Sequence, residues 1–293
     1  MESQKPMSRV PRLSVFEFQE LLSLFNQAAG LHFDDSARPL FQSRLASRLP
    51  LHELTNYRDY LRLLQFSAQG AEEMAAALDL LTSGETYFFR HKEQLALLSG
   101  SILPALAEAN ANTRRLTIWS AGCSSGEEAY TVAILLAESG LFEGWSVRII
   151  GNDLSHERIE HARQACYFQG AFRSTDDHIR KRYFQESGKI WQVEDEIRRL
   201  CHFSAQNLLG PEMRSFLGRV DVVLCRNVLI YLDGKARARV LESLYERLAP
   251  GGFLLLGHSE SLKFVDTPLE LISMEQDLAF KKPLRITRRG SDT

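Results

Sequence analysis

Apolar positions in the N-terminal third recur at helical spacing. Phe16, Phe18, Leu21, Leu22 and Phe25 follow Ser14 and Glu17, an S-x-x-E pair that caps the free N–H groups of a helix start. A second amphipathic stretch covers 39–49. A third follows Thr55 and places Tyr57, Tyr60, Leu61 and Leu64 on one side, and an alanine-rich fourth spans 71–81. Together they predict an all-α bundle over residues 1–84. The segment 82–86 is not helical and leads into Tyr87, Phe88, Phe89 and Arg90.

The pattern then changes. Short apolar runs of β type at 115–119, 145–150, 220–224 and 253–256 alternate with helical periods at 127–139, 156–166 and 235–248. Such alternation predicts an α/β domain over 85–293 with a mostly parallel, doubly wound sheet. Ligands bind such sheets at the carboxyl ends of the strands. One segment, 189–203, has β-type residues around a charged centre. It reads as an antiparallel hairpin inserted at about 187–204.

Composition narrows the function classes. The chain has 293 residues, 44% hydrophobic and 25% charged, as in ordinary globular proteins. A net charge of −2 gives no bulk attraction to nucleic acid or acidic membranes. No apolar run approaches the roughly 18 residues needed to span a bilayer, and the polar start lacks a signal peptide's apolar core. Cys123, Cys166, Cys201 and Cys225 lie far apart without metal-ligand spacing. They read as reduced thiols of a cytoplasmic protein, with no metal expected.

The strand at 116–119 runs into Ser120-Ala121-Gly122-Cys123-Ser124-Ser125-Gly126 and then Glu127-Glu128. A strand, a glycine turn and a helix suit a nucleoside, small residues allowing close approach to the backbone. The two acids would repel a pyrophosphate at the helix N-terminus. They suit a cation such as S-adenosylmethionine, with its sulfonium and ammonium groups. Asp153 ends the next strand, where a carboxylate accepts ribose hydroxyls. Asp153 could instead cap the following helix, but Ser155 is the better cap and would leave it free.

Six segments, in order, resemble the CheR family of chemotaxis receptor methyltransferases. They are Gly84-Glu85-Thr86-Tyr87-Phe88-Phe89-Arg90, the turn from Trp119 to Glu128, Asn152-Asp153, Asn207-Leu208-Leu209, Cys225-Arg226-Asn227-Val228-Leu229-Ile230-Tyr231, and Leu248-Ala249-Pro250-Gly251-Gly252 leading to Gly257-His258-Ser259-Glu260. The resemblance implies a helical N-terminal domain and a Rossmann-like class I methyltransferase domain with a small antiparallel β-subdomain. It implies methyl transfer from S-adenosyl-L-methionine to glutamate side chains of methyl-accepting chemoreceptor cytoplasmic helices, leaving S-adenosyl-L-homocysteine. A non-catalytic S-adenosylmethionine-binding adaptor is the alternative.

The resemblance also implies residue roles. Gly84, Thr86, Arg90, Ala121, Glu127, Asp153, Asn207, Leu208, Arg226 and Asn227 would bind the donor, with Glu127 preferred to Glu128 for its amino-acid part. Gly84 stands where relatives often have asparagine, which removes a side-chain contact. Arg90 and Tyr231 would be catalytic. Arg90 could alternatively pair with Glu85, and Tyr231 could pack behind its strand. His258 reads as structural, because an ionised carboxylate acceptor needs no base. Arg44 with Arg48 and Arg58 with Arg62 are spaced to share helix faces that would attract an acidic receptor helix. The hairpin could add a receptor tail by strand pairing. Neither nucleic acid nor direct membrane insertion is expected, and a monomer is compatible with the sequence.

Overall fold

A computed structural model describes residues 11–82, 85–210, 218–260, 262, 267–273 and 277–284. The chain forms two compact units, Met1–Ser83 with Tyr231–Asp233, and Gly84–Ile230 with Gly234–Thr293. The segment Tyr231–Asp233 therefore groups with the first unit, although the sequence places it inside the second domain.

The first unit contains α1 (Val15–Ala29), α2 (Arg38–Leu45), α3 (Tyr57–Phe66) and α4 (Gly70–Leu81). Ser14 and Glu17 close the capping box on α1, and Gly30 ends it in the left-handed conformation. On α3 the buried residues are Tyr57, Tyr60, Leu61 and Leu64, the side marked by the sequence. The ring of Phe41 lies edge-on to Phe18, Phe25 and Phe33 with centroids 5.1, 5.8 and 5.1 Å away. Leu232 bridges to Leu31, and the His32 N–H donates to the Tyr231 carbonyl at 2.8 Å.

A polar knot lies inside this bundle. Glu73 is 2% exposed and accepts from Arg48 Nε at 2.9 Å, Arg48 Nη2 at 2.6 Å and the Tyr60 hydroxyl at 2.5 Å. The His52 ring is also 2.5 Å away. Burial pushes the Glu73 carboxyl up, but the hydrogen bonds from Arg48, Tyr60 and His52 outweigh it and hold it below the usual carboxylate range. Arg44 donates to the carbonyls of Leu80 and Leu81 at 2.7 and 3.1 Å and so caps the end of α4. The expected basic face of Arg44 and Arg48 is thus corrected. α2 stops at Leu45, Arg48 turns inward to Glu73, and Arg44 serves backbone carbonyls. Arg58 and Arg62 lie on α3, where Arg62 pairs with Asp59 at 3.2 Å on the exposed side.

In the second unit, α5 (Lys92–Leu97), a π-turn at Leu98–Ile102 and α6 (Leu103–Ala109) precede the sheet. The strands are β1 (Arg115–Ala121), β2 (Ser146–Asp153), β3 (Cys166–Phe168), β4 (Phe184–Ser187), β5 (Ile190–Val193), β6 (Cys201–Ala205), β7 (Val220–Cys225), β8 (Leu248–Leu256), β9 (Glu270–Ser273) and β10 (Leu278–Lys281). Between them run α7 (Glu127–Ser139), α8 (His156–Gln164), α9 (Asp177–Tyr183), α10 (Asp195–Arg198) and α11 (Gly234–Arg247). The main sheet has the order β6-β2-β1-β7-β8-β10-β9. It is parallel from β6 to β8, and β10 and β9 add an antiparallel edge. The order reverses at β1, which opens a crevice at the carboxyl ends of β1, β2 and β7.

The small sheet is three-stranded and antiparallel, in the order β3-β5-β4. This corrects the hairpin expected at 187–204. The hairpin is β4–β5, turning at Gly188 in the left-handed conformation, and β3 joins it, starting at Cys166, where the sequence predicts the last residue of a helix. The segment 195–198 is helical, and Cys201–Ala205 belongs to the main sheet beside β2. β6 has only five residues, and beyond the buried Cys201 and exposed His202 the residues Phe203 to Ala205 are all half-buried, so its pattern does not mark it as a strand of the main sheet.

Among the described residues no helix is long and apolar enough to cross a membrane, and no group of His, Cys, Asp and Glu is arranged to hold a metal ion.

Candidate active site

The site is built from the loops at the strand ends and from the segment 85–91. That segment is fixed by Phe88, whose ring lies 4.8 Å from Tyr167, 5.2 Å from Phe172 and 4.9 Å from Phe184. Its N–H donates to the Ala171 carbonyl at 2.9 Å. The buried Phe88 therefore pins the neighbouring Thr86 and Arg90 to the rim of the sheet.

The turn after β1 is tightly determined. Gly122 and Cys123 donate to the Asn152 carbonyl at 2.8 and 2.9 Å, and the Ser124 N–H donates to Asp153 Oδ2 at 2.8 Å. Gly126 has φ +91° and starts α7; a Cβ there would lie 2.9 Å from that of Ala162. A Cβ on Gly122, at φ +77°, would strike Val228. These glycines are required by backbone conformation and by packing against protein atoms.

The two acids after the turn have different partners. Glu128 accepts from Ser120 Oγ at 2.6 Å and pairs with Arg226 Nη1 at 3.1 Å. Glu127 is 4% exposed; among the described residues its hydrogen-bond partners are hydroxyls, Ser125 Oγ at 2.8 Å and Thr86 Oγ1 at 3.3 Å. Burial pushes the Glu127 carboxyl up, against the lowering by its own backbone N–H and by these hydroxyls. An acid buried on hydroxyls at a helix start gains most from a cationic partner.

Asp153 is less free than the sequence suggests. Its Oδ2 takes the Ser124 N–H, and its Oδ1 takes the Ser155 N–H at 3.1 Å, while Ser155 Oγ caps α8. A carboxylate has about four acceptor positions, so capacity for hydroxyl donors remains. The Asp153 carbonyl also accepts from the Gln206 N–H at 2.8 Å, which brings the 206–210 turn to the end of β2. There Asn207 Oδ1 accepts from the Leu209 N–H at 2.9 Å, and Leu208 lies half-buried in the turn.

Arg226 is 8% exposed and donates from Nη2 to the Arg90 carbonyl at 2.6 Å. Arg90 itself donates to the Glu85 carbonyl at 2.6 Å and lies 5.8 Å from the Tyr87 ring. The Glu85 carboxylate is taken by Arg173 instead. His91, at φ +61°, has its ring 4.5 Å from that of His258 and tilted by 44°, and His258 Nε2 is 3.2 Å from Asp277. Burial, with the positive charges of Arg226 and Arg90 and the neighbouring His258, pushes His91 down to about 4, so it is neutral at physiological pH. Cys123 and Cys225 are buried, and desolvation drives both thiols well up, so they are inert packing groups. Ala121 is buried at the end of β1, and Tyr231 is half-buried at the end of the turn Leu229–Tyr231. Gly84 lies outside the described residues. Glu260 was legible only as part of a motif. Its four backbone contacts, described below, carry no spacing signal.

These residues fit a cationic nucleoside. Gln206 Oε1 and Arg226 Nε are buried without a hydrogen-bond partner among the described residues. The amide oxygen offers an acceptor and the guanidinium N–H a donor, and with the carboxylates of Glu127 and Asp153, which accept from amino, hydroxyl and ammonium groups, they supply both hydrogen-bonding roles. A reversed parallel sheet with this acid-lined turn suits an S-adenosylmethionine-dependent methyltransferase. Residues 84–278 match the CheR methyltransferase SAM-binding domain, and residues 17–82 match the CheR methyltransferase all-alpha domain. The chain is 33% identical to chemotaxis protein methyltransferase 2 of Vibrio cholerae, over 91% of this chain and 93% of that protein. It is 32% identical to a chemotaxis protein methyltransferase of Vibrio parahaemolyticus, over 90% and 96%. Among solved structures, the N-methyltransferase NodS of Bradyrhizobium japonicum with S-adenosyl-L-homocysteine aligns at TM-score 0.39 and 16% identity, covering 73% of this chain and 97% of that one. The chain belongs to the CheR methyltransferase family, and S-adenosyl-L-methionine is its methyl donor.

Proposed function

We propose that this enzyme methylates glutamate carboxylates on the cytoplasmic helices of chemoreceptors, forming methyl esters. The name shared by its relatives, chemotaxis protein methyltransferase, supports the acceptor class. The observation that carries the donor half of the reading is Glu127, a buried carboxylate held by hydroxyls and raised by desolvation. S-Adenosylmethionine supplies an electrophilic methyl group when bound. Glu127 holds its ammonium group, and Asp153 its ribose hydroxyls. Thr86, Ala121, Asn207, Leu208, Arg226 and Asn227 complete the donor site.

A glutamate acceptor is already ionised at neutral pH, so no residue need remove a proton. Catalysis is then alignment of a carboxylate oxygen with the methyl carbon in a water-poor site. Arg90 orients the acceptor carboxylate, because a guanidinium carries five N–H donors and the bond to Glu85 engages only Nη1. Tyr231 donates a hydrogen bond at the transfer position. The exposed side of α3, with Arg58 and Arg62, is the cationic surface retained for an acidic receptor helix. The enzyme acts in the cytoplasm.

The test is incubation with methyl-labelled S-adenosylmethionine and receptor-enriched membranes. Base-labile label on receptor glutamates is expected. Donor binding without receptor label would overturn the acceptor assignment. Arg90→Ala and Asp153→Ala should each lower labelling at least about tenfold, and unchanged rates in both would overturn their roles.

A further inference from the structure

We infer that Glu260 is a positioning residue that fixes the loop leaving β7 in the geometry needed for methyl transfer. The inference deepens the proposed reading and rests on its assignment of Tyr231.

Four backbone N–H groups converge on this one carboxylate. Oε2 accepts from Asn227 at 2.9 Å and Gly257 at 2.7 Å, and Oε1 accepts from Val228 at 2.8 Å and Ile230 at 3.2 Å. Three of these donors belong to the loop after β7, and the fourth begins the turn after the adjacent β8. The Glu260 N–H closes that turn on the Gly257 carbonyl at 2.8 Å. Glu260 thus ties the carboxyl ends of two neighbouring strands together.

The loop it holds would not keep this shape unaided. Asn227 has φ +60°, a left-handed conformation that asparagine tolerates better than other residues with a Cβ but that still competes with extended and helical alternatives, so a partner is needed to select it. Hydrogen bonds to an ionised acceptor are the strong class, and four of them on one group fix the loop. Gly257 is needed for the approach, because a Cβ there would lie 2.8 Å from Glu260 Oε2 and 2.9 Å from the Asn227 nitrogen. The same turn also carries His258, whose ring contacts that of His91, the residue after Arg90.

Of the donor-binding groups Asn227 depends on Glu260, whereas the charged ones have anchors of their own. Arg226 is held by Glu128 and the Arg90 carbonyl, Glu127 by Ser125 and Thr86, and Asp153 by Ser124 and Ser155. The residues depending on Glu260 are those from Asn227 to Ile230, which run directly into Tyr231. Loss of Glu260 should therefore impair transfer more than donor binding.

The test compares wild type, Glu260→Gln and Gly257→Ala by donor titration, saturating kcat on receptor membranes, and amide hydrogen exchange. In Glu260→Gln one acceptor oxygen becomes an NH2 group facing N–H donors. The expected result is a kcat reduced at least about tenfold with donor Kd within about threefold, and exchange at Asn227, Val228 and Ile230 faster by at least about tenfold with the amides of β7 unaltered. Gly257→Ala should change in the same direction. An unchanged kcat, unchanged exchange in the loop, or equal losses in kcat and donor affinity would overturn the inference. The wild-type arm separates the two readings: no receptor label in wild type overturns the acceptor assignment, and the exchange data then decide whether Glu260 anchors the loop.

Discussion

At the residue scale, two glutamates one position apart are divided by their partners. Glu128 has a guanidinium, whereas Glu127 has hydroxyls and a raised carboxyl. A buried acid with a raised folded pKa favours folding in its neutral form, and that contribution is lost as pH rises through the folded pKa. Glu127→Gln should therefore raise the melting temperature of the donor-free protein at neutral pH while weakening donor binding by about 10- to 100-fold. Calorimetry and titration would measure the two effects. In wild type, donor affinity should fall with decreasing pH earlier than an ordinary carboxylate allows, and the Gln variant should lose that dependence. Glu73 gives the opposite sign. Its folded pKa is depressed, so it stabilises the first unit above its unfolded pKa, and the contribution is lost as pH falls through the folded value. Glu73→Ala leaves Arg48 and Tyr60 unpaired and should cost about 3 kcal/mol, measurable by urea denaturation at neutral pH.

At the element scale, the β1–α7 connection depends on Gly126. Its left-handed conformation combines with close contact to Ala162, so Gly126→Ala should cost more than about 2 kcal/mol. Gly140 also has positive φ, +63°, at the far end of α7, but open space surrounds its Cβ position. Gly140→Ala should cost only about 1 kcal/mol. Chemical denaturation of the pair separates conformational strain from steric overlap, and equal losses would show that packing at Gly126 is soft. The elements carrying this turn were legible because apolar runs end at glycine and acids begin the next helix. β3, β9 and β10 were not, because each has only three or four residues, too few for burial to impress a period, and β3 and β9 lie at sheet edges.

At the scale of the whole molecule, the protein is two units with different internal logic. The first is a helical bundle whose apolar faces surround a satisfied polar knot at Glu73. The second is a sheet whose order reverses at β1, so that turns distant in sequence meet at one end. The contact grouping of Tyr231–Asp233 with the first unit was invisible to sequence reasoning, since pairing of Leu31 with Leu232 joins residues far apart in the chain and leaves no local period.

The sequence by itself determined the helical first unit, the parallel α/β core, the acid-following glycine turn and the family, because these depend on local periodicity and ordered motifs. Tertiary structure decided which acid of the Glu127–Glu128 pair meets a guanidinium and which is held by hydroxyls. It turned Arg44 and Arg48 from a supposed receptor surface into internal contacts. It also gathered the backbone of Asn227, Val228, Ile230 and Gly257 on Glu260. Charge neutralisation, burial and hydrogen-bond convergence depend on distances between residues remote in the chain, and those distances are set only when the chain has folded.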